Sequence, residues 1–139
     1  MNAQLLAELR EITPEEKKIL EGPKEVDGDL YYLPKSHVVD SRKLLESGKA
    51  IQIRTHTRFV HFPAHTHNFV ELIYMCSGST THKINGDLIT LREGELLFLN
   101  QNATQEIYPA GENDIAVNFI ILPAFFDYAL TMLGDDDNY

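Results

Sequence analysis

The residues best suited to chemistry in this chain fall in one short stretch, His65-Thr66-His67-Asn68-Phe69-Val70-Glu71. Two imidazoles stand two apart, and a carboxylate follows four residues later. In extended chain, residues of equal parity face the same side, so the three side chains converge if no bulge intervenes. Neutral imidazoles with a carboxylate make a donor set for Zn, Fe, Ni or Mn. The same groups also serve as interior polar residues bonded to one another, to water or to an organic ligand. A His-x-His pair by itself does not choose between these.

Strands must position them. Period-2 alternation is clear in Ala50-Ile51-Gln52-Ile53-Arg54-Thr55-His56, and Phe69 to Met75 is a nearly unbroken apolar run that fits a strand buried on both faces. Thr81 to Ile84, Asn85-Gly86 and Asp87 to Leu91 predict a hairpin, because Asn-Gly tolerates the positive φ that a tight turn demands. Glu95 to Leu99, Gln105 to Tyr108 and Ile115 to Leu122 complete a set of short, evenly spaced strands, a pattern of sandwiches and barrels. Residues 1–49 carry helical signals instead. Leu5, Leu6 and Leu9 recur at helical spacing, and Thr13-Pro14-Glu15-Glu16 reads as a capping box before a helix that stops at Gly22. Asp40 or Ser41 starts a further short helix. Residues 125–139 open with an apolar helical stripe on Phe126, Ala129, Leu130 and Leu133.

Composition narrows the function classes. The 139 residues fit one domain with a real core, and the formal net charge of -9 repels phosphate backbones. Gripping nucleic acid is therefore not the work of this segment. No apolar run approaches the ~20 residues that spanning a bilayer needs, and the first residues turn acidic too early for a secretion signal. Cys76 is the only cysteine, so no internal disulfide forms and a cytoplasmic location is expected.

With its context, His65-x-His67, Glu71 and then Gly78 resembles the first motif of the cupin superfamily. Gly94 opens a second motif, but Asn100 and Asn102 stand where proline and glycine are usual, and Gln105 stands where the last ligand histidine belongs. The closer resemblance is to AraC-type sensor domains. It rests on Arg58 to Tyr74, on Gly94-Glu95-Leu96-Leu97-Phe98-Leu99-Asn100, and on Asn118-Phe119-Ile120-Ile121 followed by Phe125-Phe126. That resemblance implies a mainly β fold: a single jelly-roll-like barrel at 50–124 with an N-terminal helical extension and a C-terminal helix. It also implies a non-catalytic, effector-sensing half of a transcription regulator. Its pocket candidates are His65, His67, Glu71, Gln105 and His82, and the effector is a small molecule, with a sugar among the candidates. The helix on Phe126, Ala129, Leu130 and Leu133 would then pair two subunits into a homodimer, or pack on its own barrel.

No cofactor is expected, although a transition metal on His65, His67 and Glu71 stays open, because glutamine is a poor ligand beside imidazole. The rivals are a small metal-dependent cupin enzyme, a dioxygenase or isomerase, and a stand-alone small-molecule-binding cupin. Arg54 and Arg58 share parity with His56 and suit an anionic effector if they face inward; the reading with Ile51, Ile53 and Phe59 inward leaves them solvated. Asp135-Asp136-Asp137 lie badly at a helix C-terminus and well at the start of another helix, so the protein is expected to continue into a basic helix-turn-helix domain.

Overall fold

A computed structural model describes residues 2–134, and the Asp135–Asp137 reading falls outside them. The elements run α1 (Ala3–Arg10), α2 (Pro14–Glu21), β1 (Val38–Val39), α3 (Ser41–Leu44), β2 (Ile51–Thr55), β3 (Phe62–His67), β4 (Val70–Ser77), β5 (Ser79–Ile84), β6 (Asp87–Arg92), β7 (Leu96–Leu99), β8 (Gln105–Ile107), β9 (Ile115–Ile121) and α4 (Pro123–Gly134). Among the described residues, no helix is long and apolar enough to cross a membrane.

Two sheets carry the core between them: β1-β3-β8-β5-β6, and β2-β9-β4-β7. One apolar cluster joins Phe62 and Ile107 of the first sheet to Ile120 of the second, and another joins Leu91 to Ile73, Met75, Leu99 and Ala116. Local chemistry explains the turns. Asn85 and Gly86 both take positive φ (50° and 91°), the pair a tight hairpin needs. At Gly78, φ is +70° and a Cβ would collide with the Asp114 carboxylate that accepts the Ser79 N–H.

The capping box forms as read: Glu16 N–H donates to the Thr13 hydroxyl, and Thr13 N–H donates back to Glu16 Oε1. The N-terminal zone is not only helical, however. Val38 and Val39 pair in parallel with Thr66 and His67, and Ser41 N–H donates to Asn68 Oδ1 at 2.8 Å. A strand of two residues leaves almost no periodicity to read, so only tertiary pairing reveals it.

The solvated reading of the arginines is corrected. Arg54 pairs across β9 with Asn118, which turns the even positions of β2 inward and leaves Ile51 and Ile53 exposed on the outer sheet face. Arg58 is fully buried. Its Nε and Nη2 donate to Glu16 at 2.8 and 3.0 Å, and Nη1 and Nη2 also reach the carbonyls of Glu112, Arg10 and Glu11. The rule that buried charge must be paired holds; the partner comes from α2, 42 residues away.

Candidate functional site

The bend at Asn68 and Phe69 carries the chain from one sheet to the other, so His65 and His67 face inward from β3 while Glu71 faces inward from β4. All three are buried and border one cavity of about 50 Å³. Gln105, opposite His65 in the β3–β8 register, joins them. From the second sheet come Asn118 and Arg54, and His56 follows just past the end of β2. Tyr31, Val39 and Leu44 border the same cavity, so the N-terminal segment forms part of its wall.

His82 does not line the cavity. The β5–β8 register sets it opposite Ile107, one layer behind Gln105. There it belongs to a closed relay. Gln105 Nε2 donates to His82 Nδ1 at 3.2 Å, His82 Nε2–H donates to Thr80 Oγ1 at 2.8 Å, and that hydroxyl donates to Met75 Sδ at 3.4 Å. His82 thus holds the Gln105 amide in place.

The cavity groups are oriented but not all satisfied. His65 Nδ1–H donates to the Pro63 carbonyl at 2.8 Å, and His67 Nδ1–H donates to the Phe69 carbonyl at 2.7 Å. Because a carbonyl can only accept, this fixes Nε2 of His67 as a lone pair. That atom, His56 Nε2 and Asn118 Oδ1 are buried without a partner among the described residues. Burial holds the histidines neutral: His56 and His65 are each pushed down to about 4, His82 to about 3, and His67 also downward. Burial pushes Glu71 up to about 7, partly opposed by the charge of Arg54.

Nδ1 held by a carbonyl with Nε2 free is the way metal-ligand histidines are commonly presented. The remaining donors do not complete that arrangement. Among the described residues, no group of three or more His, Cys, Asp or Glu side chains could hold a metal ion, and the Gln105 amide nitrogen is turned to His82. His65, His67 and Glu71 therefore stand without a fourth good ligand among the described residues.

Sequence reasoning missed His56 and Asn118 as site residues. The signal was the parity shared by Arg54 and His56, once Arg54 is known to face inward. The helix candidates divide: the ring of Phe126 lies 5.5 Å from that of Phe98, Ala129 is half-buried, and Leu130 and Leu133 are exposed. Cys76 is buried and stands apart from the cavity, with its thiol pushed up by burial.

A family model described as AraC-like ligand binding domain matches residues 50–133. No curated protein matches the chain. Among solved structures, it is similar to the EutQ protein of Clostridium difficile (18% identity, 52% of this chain and 50% of that one, TM-score 0.42). It is similar also to a cupin protein of Bacteroides fragilis (22%, 53% and 66%, 0.40) and to a predicted oxalate decarboxylase of Thermotoga maritima (20%, 52% and 64%, 0.43). The chain spans about half the length of that EutQ protein (50%).

Proposed function

Since the chain belongs to the AraC-like ligand binding domain family, we propose that it is the effector-sensing and dimerising half of a transcription regulator and performs no chemistry itself. The observation that carries this is one cavity lined by His56, His67 and Asn118, each of which keeps a buried polar atom without a partner among the described residues. A buried polar atom left without a partner costs about 1–3 kcal/mol. A ligand that satisfies these atoms offsets that cost. Gln105, steadied by His82, offers the remaining amide contact, and His65 and Glu71 complete the polar wall.

DNA contact belongs in this reading to a helix-turn-helix domain beyond residue 139, since a net charge of -9 repels phosphates. The exposed face of α4, with Leu130 and Leu133, pairs two subunits. The protein works in the cytoplasm.

The test is a melting-temperature survey of the purified chain against a library of small metabolites. At least one compound raises the melting temperature in a saturable way; a library without any such compound overturns the reading. A second reading, a small metal-dependent enzyme, draws on the carbonyl-tied imidazoles of His65 and His67. Elemental analysis separates the two: one tightly held metal per chain would favour the enzyme, and substoichiometric or no metal the sensor.

A further inference from the structure

Resting on the effector reading above, we propose that the cavity is built for a compact monocarboxylate, whose two oxygens meet the guanidinium of Arg54. The even positions of β2 face inward, and Arg54 borders the cavity half-buried beside Tyr31, its guanidinium carbon 5.7 Å from the centre of that ring. Arginine does not deprotonate, so this wall carries a permanent positive charge. Arg42 and Arg58 are each held by a carboxylate, at 3.0 and 2.8 Å, whereas Arg54 is in no ion pair among the described residues.

Two carboxylates of the chain stand near it, and neither closes the pair. Glu15 accepts from the Tyr31 hydroxyl at 2.6 Å and from the Thr57 hydroxyl at 3.2 Å, so both of its oxygens are engaged. The Arg54 charge acts on Glu71, yet burial pushes that carboxyl up to about 7, which leaves a neutral form that donates rather than competes. An incoming carboxylate supplies what Arg54 lacks, two acceptor oxygens in the plane that matches its fork. Asn118, opposite Arg54 in the β2–β9 register, brings an amide with N–H donors to the same cavity.

Size and lining limit the rest of the molecule. A water needs roughly 10–15 Å³ measured this way, so a cavity of about 50 Å³ holds a few heavy atoms. Phe62, Ile107 and Ile120 also line it and suit a short alkyl chain. One negative charge answers one guanidinium. A dianion such as phosphate would leave its second charge without a counter-ion against apolar side chains, at high desolvation cost.

Propionate, propionamide and propylammonium are close in size and differ in charge, which makes them the test. Each is titrated into the intact chain labelled with nitrogen-15 at arginine, and the Arg54 Nε signal is followed, identified as the one missing from Arg54→Lys. Propionate moves that signal at about a tenfold lower concentration than propionamide, as charge-assisted bidentate bonds are the stronger ones, and propylammonium leaves it unmoved. Propionate also raises the melting temperature of the unaltered chain and not that of Arg54→Gln. Where Arg54→Gln does not fold, the comparison of acid with amide decides alone, since it is made on the unaltered chain. An equal response to acid and amide, an amine that acts first, or an Arg54→Gln chain that keeps its response to the acid overturns the carboxylate proposal while leaving the effector reading intact. Silence from all three probes overturns it as well, and the metabolite survey then decides the effector reading separately.

Discussion

Two buried polar clusters sit in this small protein, and they differ in how they are finished. Around Arg58 every visible bond is closed: the guanidinium meets Glu16 and three backbone carbonyls, and Glu16 also caps its own helix. Around His67 the bonds are half closed, with Nδ1 tied to the backbone and Nε2 without a partner among the described residues, and Asn118 on the same cavity also keeps an unpartnered oxygen. Evenly satisfied polar groups make a clamp between helix and barrel. Oriented but unsatisfied ones make a place for something else.

The clamp should be the costliest to break. Arg58→Leu strands the Glu16 carboxylate and is expected to lower unfolding free energy by about 3–5 kcal/mol, the range for removing one partner of a buried pair. Urea unfolding measures it. The double variant Glu16→Leu with Arg58→Leu should lose clearly less than the two single losses added together. Additive losses would mean that the two groups do not work as a pair.

Acid separates the clusters next. Glu16 loses to burial, but the Arg58 and Thr13 hydrogen bonds and the Arg58 charge outweigh that and hold its carboxyl below 4.5. A depressed acid stabilises above its unfolded value and loses that contribution as pH falls through its folded one. His56 and His82 act at higher pH. Their folded values, about 4 and about 3, lie below 6.5, as does that of His65 at about 4. The unfolded chain therefore takes up these protons first, and stability falls as pH drops from 6.5 toward 4, against the smaller opposing contribution of Glu71, which is protonated first in the folded state from about 7 downward. Unfolding free energy should therefore decline in two stages. Replacing His56 with Gln should flatten the upper stage and spare the lower; an unchanged upper slope would remove His56 from the account.

These contrasts show what a linear sequence displays and what it hides. The Asn85-Gly86 turn and the Thr13–Glu16 capping box were legible because their chemistry is local, spanning two to four residues. The second role of Glu16 was hidden, since its partner stands 42 residues away, and Arg58 looked solvated without it. Strand parity placed His65 and His67 inside, and the β3–β8 register then brought Gln105 to the same wall. Parity could not say that His82, also inward, lies one layer deeper, because depth is set by strand pairing.

Smaller effects sharpen the contrast. Leu130→Lys with Leu133→Lys, on the exposed side of α4, should change unfolding free energy by about 0.5 kcal/mol or less, as surface changes usually do. If α4 pairs subunits, sedimentation of the same variant shows the dimer weakened. An unaltered dimer would assign the interface elsewhere.

The most direct test uses Asn118→Leu, which replaces a polar side chain with an unpartnered buried oxygen by an apolar one. Its melting temperature and that of the unaltered chain are measured across the same metabolite library. The account predicts that the variant melts at or above the unliganded parent, because an unsatisfied polar atom is removed without loss of a bond. It also predicts that compounds which stabilise the parent leave the variant unmoved. A variant that melts well below the parent, or that responds to the same compounds equally, would contradict it.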